Sequence, residues 1–289
     1  MTGPPRSIAA ALGLGASRLA SASETPQLDA ELLLAGICGR HRAHLLSHGE
    51  EPLDAAQAEA FARLVSRRAA GEPLAYVLGT RDFWTLTLEV DRSVLVPRPE
   101  TELLVELALE AGDAAASTAT TRLIDLGTGS GAIALAIACE RPVWQVTATD
   151  RSVAALALAR RNAARVGAAN VEFLSGDWLS AAPGRSFEVI VSNPPYIAAG
   201  DPVLERAPLC FEPRGALTDE GDGLRHLLCI ADGARTQLAA HGVLILEHAP
   251  DQALPLRLAL ESRGYRHVRS HRDLAGRERA TCAAAPESV

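Results

Sequence analysis

The sequence predicts an α/β protein: a seven-stranded, doubly wound sheet domain preceded by a small helical domain, the two joined by a β-hairpin. Three observations carry that prediction. Beyond about residue 120, short apolar strands alternate with helical stretches, the pattern of a parallel sheet covered on both faces. Before residue 80 the chain is rich in alanine and leucine at helical spacing. Between the two, the hydrophobic period shortens to that of strands. The expected divisions are a helical domain over 1–80, a hairpin linker over 81–97 and a sheet domain over 98–289.

In chain order, Leu28–Leu34 forms one helical segment and Gln57–Ala70 another, with Phe61, Leu64 and Val65 on one face. Asp54 is the expected N-cap of the second and Gly71 its stop. Trp84–Val90 is rich in β-formers, Asp91-Arg92-Ser93 signals a turn, and Val94–Val96 completes the expected hairpin. Pro99 suits the first turn of a helix through Leu103, Leu104 and Leu107. The Ala/Thr-rich stretch Asp113–Thr121 is expected to be a loop. The predicted strands are Arg122–Leu126, Gln145–Thr149, Val171–Leu174, Glu188–Ser192, Val243–Glu247, His267–His271 and Arg279–Cys282. A helix with Leu224, Leu227, Leu228, Ala231, Ala234 and Leu238 on one stripe separates the fourth strand from the fifth, and another near Asp251–Arg263 follows the fifth.

Composition narrows the function classes. With 48% hydrophobic and 22% charged residues the chain can build a sizeable core. A net charge of -7 argues against gripping a nucleic-acid backbone over a large surface. The first eighty residues are nearly balanced, seven arginines against eight acids, which suits protein docking better than nucleic-acid binding. The cationic side chains are all arginine, a compositional bias. Cys38, Cys139, Cys210, Cys229 and Cys282 are dispersed, so reduced thiols are expected, with neither disulfides nor a metal site. Met1-Thr2-Gly3-Pro4-Pro5 lacks the basic-then-apolar pattern of a signal peptide, and no apolar run is long enough to span a bilayer. A cytoplasmic monomer is expected.

The chemistry concentrates at strand ends. Asp125-Leu126-Gly127-Thr128-Gly129-Ser130-Gly131 joins a strand to a helix, and glycines there allow a sharp turn and close approach of a ligand to the backbone. A dinucleotide turn would be spaced GxGxxG, whereas this one is GxGxG. Asp150 ends the second strand, where a carboxylate can accept both ribose hydroxyls of a nucleoside. Gly176-Asp177-Trp178 follows the third, placing an acid for an adenine amino group and an aromatic to cover the ring. Each alone has a bland alternative: a tight turn, a solvated aspartate, a core tryptophan. Together, at successive carboxyl ends, they predict a nucleoside-binding site.

Asn193-Pro194-Pro195-Tyr196 follows the fourth strand. An amide or exocyclic amino nitrogen is a poor nucleophile, because its lone pair is delocalised. Acceptors for both of its N–H groups favour the geometry in which that lone pair faces a methyl donor. The Asn193 side-chain oxygen and the Pro194 carbonyl can be those acceptors. The prolines stiffen the loop, and the Tyr196 ring can stack on a planar group. The bland alternative is a proline-braced turn.

The glycine turn with Asn193–Tyr196 is similar to the methyltransferases of planar nitrogens. Further stretches resemble one branch, the HemK/PrmC-type release factor glutamine methyltransferases: Arg81-Asp82-Phe83-Trp84, Val96 to Glu102, Asp177-Trp178, Phe211-Glu212-Pro213 with Ala216-Leu217, Leu246-Glu247-His248, and Asp273 to Arg279. The resemblance runs from Tyr76 to the C-terminus, and earlier residues match only in helical character. It implies a Rossmann-like class I methyltransferase domain and S-adenosylmethionine as cofactor, contacted by Gly127, Thr128, Gly129, Ser130, Gly131, Asp150, Asp177, Trp178 and Asn193. It implies that Asn193, Pro194, Pro195 and Tyr196 hold the glutamine of a Gly-Gly-Gln loop in class 1 release factors, with the N-terminal helices docking that protein. Arg98 and Glu100 would line the substrate side, although helix initiation explains Pro99 and Glu100 equally well. Phe211-Glu212-Pro213 is expected to be a structural turn, His248 to make a structural hydrogen bond, and the C-terminal arginines to form a salt-linked surface. The rival reading is a nucleic-acid base methyltransferase, which would favour a basic channel and an inserted recognition domain. No stable nucleic-acid or membrane partner is expected.

Overall fold

The computed structural model describes residues 7–115 and 120–287, so the Met1–Pro5 reading lies outside the described residues. Two compact units emerge. One runs to Gly79 and includes Arg206–Phe211; the other comprises Thr80–Glu205 and Glu212–Val289.

The first unit packs α1 (Ile8–Leu19), α2 (Pro26–Cys38), α3 (Arg42–Ser47), α4 (Ala55–Ala69) and α5 (Leu74–Leu78). Its core gathers Leu12, Leu19, Leu33, Leu34, Leu45, Phe61 and Val65. Asp54 caps α4 as predicted: Gln57 N donates to its Oδ1 at 2.7 Å, and Asp54 N donates back to Gln57 Oε1 at 3.3 Å. Gly71 follows with φ +92. Two buried carboxylates on α2 are answered from other helices, Asp29 by Arg68 at 2.7 Å and Glu31 by Arg42 at 2.5 Å. An unanswered charge there would be strongly destabilising, so these pairs fix which helices may neighbour α2.

The second unit opens with the hairpin, shifted from its predicted place. Its strands are β1 (Thr80–Phe83) and β2 (Leu86–Glu89), and the turn is Trp84-Thr85. Trp84 adopts φ +56, its backbone N–H donating to Glu102 and its indole N–H to Glu140, both at 2.8 Å. Tertiary partners thus place the turn where local propensity favours continued strand. The Asp91–Ser93 turn does form, Ser93 N donating to Asp91 Oδ1 at 2.8 Å. Val94–Val96, however, joins no ladder, because Val96 N donates to the buried Glu212 side chain at 3.0 Å.

After the 3-10 turn Pro99–Thr101 comes α6 (Glu102–Ala115), so Asp113–Ala115 of the expected loop are helical; residues 116–119 lie outside the described residues. Then follow β3 (Arg122–Leu126), α7 (Ala132–Glu140), β4 (Gln145–Asp150), α8 (Val153–Val166), β5 (Val171–Ser175), β6 (Phe187–Ser192), α9 (Arg225–Gln237), β7 (Leu238–Glu247), α10 (Ala253–Ser262), β8 (Arg266–Arg272) and β9 (Glu278–Ala284). The predicted strands recur within a residue or two, except that β7 begins five residues early.

The sheet order is β5-β4-β3-β6-β7-β9-β8, parallel through β7, with β9 antiparallel to both β7 and β8. Strand residues alternate between two cores. Leu123, Val189 and Val191 pack with α6 and α7 on one face, while Ile124, Leu126 and Ile190 pack with α9 and α10 on the other. On α9, Ile230 rather than Leu228 completes the buried stripe. The chain departs from β3 in opposite directions toward β4 and β6, leaving a crevice at their carboxyl ends. There the buried Ser192 hydroxyl donates to the Leu126 carbonyl at 2.7 Å, joining the ends of β3 and β6. No helix among the described residues is long and apolar enough to cross a membrane.

Candidate active site

One cavity occupies this crevice. Gly127, Thr128, Gly129, Ser130, Asp150, Asp177, Trp178, Asn193, Pro195 and Arg98 all line it, together with Thr101 and His226. Among the predicted site residues, Gly131, Pro194, Tyr196 and Glu100 are not part of this lining.

The glycine turn is shaped by its neighbours. Gly127, Gly129 and Gly131 have φ +72, +56 and +87, the left-handed region glycine enters without strain. A Cβ on Gly127 would also stand 3.2 Å from the Trp178 indole, so the missing side chain lets the ring lie over the turn. Asp125 braces the turn from beneath. Its Oδ2 accepts from the Thr128 hydroxyl at 2.6 Å and from Ala134 N at 3.3 Å, while Oδ1 has no partner. Burial pushes its carboxyl up to about 7, against the pull of those hydrogen bonds.

Asp150 is aimed by two backbone donors, Gly129 N at 3.0 Å to one oxygen and Ser152 N at 2.8 Å to the other. Each oxygen keeps accepting capacity toward the cavity. Trp178 reaches across the mouth with φ +46, its ring tilted against His226 at 5.2 Å between centroids. Burial lowers the His226 pKa, against the pull of the Asp219 carboxylate.

On the other side of the crevice, the segment after β6 is tightly fixed. The Tyr196 carbonyl accepts from Gln252 Nε2 at 2.9 Å, and a Cβ on Gly223 would lie 2.4 Å from that carbonyl oxygen. Ile197 N donates to Leu217 O at 2.9 Å. The Tyr196 hydroxyl donates to Glu247 Oε1 at 3.1 Å, and burial raises its pKa. Asn193 Nδ2 donates to the Thr101 hydroxyl oxygen at 3.2 Å. Glu247 itself is buried beneath the loop with Oε2 unpartnered, and desolvation pushes its carboxyl up to about 7 while the Thr101 and Tyr196 hydroxyls pull it back.

Arg98 pairs with the buried Glu212, so Phe211-Glu212-Pro213 is an anchor for the 96–98 segment as well as a turn. Glu100 pairs with Arg277 at 3.2 Å. His248 is wholly buried, its ring nitrogens bonded to Ala249 O and Thr281 Oγ1 at 2.8 Å each, a structural role. Four of the C-terminal arginines are salt-linked, Arg263 to Asp232, Arg266 to Glu287, and both Arg277 and Arg279 to Asp273.

Sequence reasoning gave no individual role to Asp125, Thr101, Glu247 or His226. The detectable signal was an acid ending an apolar strand, present at both Asp125 and Glu247. It also expected no metal-ligand set, yet His44, His48 and Glu51 carry potential ligand atoms within 4.8 Å of one another. The two imidazoles stack at 4.2 Å, nearly parallel at 12°, and His44 pairs with Glu51 at 3.3 Å. Ring stacking and a hydrogen bond suffice to explain that cluster.

Comparison with known proteins follows the two units. A family model described as the PrmC N-terminal domain matches residues 10–79, and one described as a methyltransferase small domain matches residues 100–218. The chain is 50% identical over 273 residues to the release factor glutamine methyltransferase of Burkholderia pseudomallei, covering 92% of this chain and 94% of that one. It is 47% identical over 260 residues to the protein of the same name from Salmonella typhimurium, covering 90% and 92%. Among solved structures, a methyltransferase from Pyrococcus furiosus superposes with a TM-score of 0.53 at 19% identity, over 79% of this chain and 99% of that one, a likeness of fold.

Proposed function

The chain belongs to the release factor glutamine methyltransferase family, and on that premise we propose that it transfers a methyl group from S-adenosylmethionine to the side-chain amide nitrogen of the Gly-Gly-Gln glutamine in class 1 release factors. The observation that carries the reading is a single crevice whose two sides, the glycine turn with Asp150 and the Asn193 loop, meet at the ends of β3 and β6.

The crevice fits the cofactor on its own evidence. Asp150 is held by two N–H groups with capacity left toward the cavity, and Trp178 lies over a turn that lacks a Cβ. In our reading Asp150 takes the ribose hydroxyls, Trp178 covers the adenine, Asp177 accepts its amino group, and Gly127–Gly131 accommodate the remainder. S-adenosylmethionine bound here would supply an electrophilic methyl group, its S–CH3 bond breaking as the N–CH3 bond forms and S-adenosylhomocysteine leaving. Asn193 Oδ1 and the Pro194 carbonyl accept the two amide N–H groups of the glutamine, turning its nitrogen lone pair toward that methyl. Tyr196 and Pro195 shape the slot around the planar amide. The alkylated nitrogen is acidic enough to lose a proton to water, so orientation and preorganised dipoles supply the rate enhancement. Arg98 borders the same cavity, whereas Glu100 serves the substrate side only through its pair with Arg277. The helical unit docks the release factor, the enzyme acts as a cytoplasmic monomer, and it needs neither metal nor nucleic acid.

The test is mass spectrometry of a class 1 release factor incubated with the enzyme and S-adenosylmethionine. One methyl on the Gly-Gly-Gln glutamine is expected, and Asn193→Ala should lower its formation at least about 100-fold while cofactor binding persists. Transfer to ribosomal RNA or DNA instead would overturn the substrate assignment.

A further inference from the structure

An asparagine amide is nearly symmetric in shape, yet its two ends are opposites: the oxygen accepts and the nitrogen donates. Holding a glutamine N–H requires the Asn193 oxygen to face the substrate. Something in the protein must choose that end.

The choice lies outside the loop. Asn193 Nδ2 donates to Thr101 Oγ1 at 3.2 Å. Thr101 closes the 3-10 turn Pro99–Thr101, is 4% exposed, and still forms part of the cavity wall. A hydroxyl could satisfy either end of an amide, so Thr101 selects one only if its own proton is committed elsewhere. The buried Glu247 stands close enough for the Thr101 hydroxyl to pull its pKa down, with Oε1 engaged by Tyr196 and Oε2 left open as an acceptor. In its ionised form Glu247 only accepts, so it draws the Thr101 proton toward itself and leaves Thr101 an acceptor for Asn193.

We propose that Thr101 is a positioning residue for methyl transfer: backed by Glu247, it holds Asn193 by the amide nitrogen and so presents the Asn193 oxygen to the substrate glutamine. Glu247 thereby governs the loop at two points, Asn193 through Thr101 and Tyr196 directly. This inference rests on Asn193 being the acceptor of the glutamine N–H.

The experiment compares wild type, Thr101→Val and Thr101→Ser in steady-state methylation of a release factor, with S-adenosylmethionine affinity measured by calorimetry. Valine keeps the shape but cannot accept from Asn193, so kcat should fall about 10- to 30-fold. KM for the release factor and cofactor affinity should stay within about twofold of wild type. Serine should restore kcat. Wild-type kcat in Thr101→Val overturns the proposal, as does equal impairment of both variants, which would assign the effect to the lost methyl group. Loss of cofactor binding in Thr101→Val overturns it too, by assigning Thr101 to folding. Failure of the unsubstituted enzyme to methylate a release factor would instead remove the functional reading, and this inference with it.

Discussion

Asp125, one residue short of the end of β3, and Glu247, the last residue of β7, are both buried with one oxygen unpartnered. Each carboxyl rises from its ordinary range to about 7. Between those values the folded protein retains protons that the unfolded chain has released. The stability this difference confers is therefore present at low pH and lost as pH rises toward 7. The melting temperature should fall between about pH 5 and pH 8, and Asp125→Asn should flatten part of that fall. Calorimetry at both ends checks it; an equal shift at both would show that Asp125 does not titrate in this interval. The residues that were legible in the sequence are those whose job is local: a glycine at positive φ, an acid at a strand end, an asparagine before prolines. Thr101 stayed in the background because its partners, Asn193 and Glu247, lie far along the chain, and a lone threonine carries no spacing signal.

Elements were legible where their burial is two-sided. Strands β3, β4 and β6 are pressed between helices, so nearly every residue is buried and their bounds follow closely from the pattern. The hairpin is different, because its turn is decided by Glu102 and Glu140 holding Trp84. On α6, Gly112 marks another contact that pattern cannot show, since a Cβ there would stand 2.1 Å from the Trp144 ring. Alanine would gain about 1 kcal/mol of helix propensity. The clash with a buried indole costs about 1–3 kcal/mol. The clash should win because the Trp144 ring is itself buried in the core. Gly112→Ala is thus expected to lower the denaturant midpoint with cofactor affinity retained. A raised midpoint would mean that the indole can swing aside.

At the scale of the whole molecule, the helical unit also takes in Arg206–Phe211 and the sheet unit takes in the hairpin, and we propose that the helical unit docks the release factor. Leu14 and Leu46 are large apolar side chains that this unit leaves exposed. Replacing both with glutamate should raise KM for the release factor about tenfold or more, with S-adenosylmethionine affinity and melting temperature unchanged. An unchanged KM would place docking elsewhere. Sequence alone could not show how closely the two sides of the crevice are coupled. Ser192 ties the end of β6 to the end of β3 at Leu126, one residue from each functional turn. On the proposed reading, the segments that hold donor and acceptor therefore leave from neighbouring strands of the same sheet, about 4.8 Å apart. The reach of the reaction is then a lattice constant of the fold rather than a property of its loops. Loop changes can alter which amide is admitted without resetting the distance across which the methyl must travel.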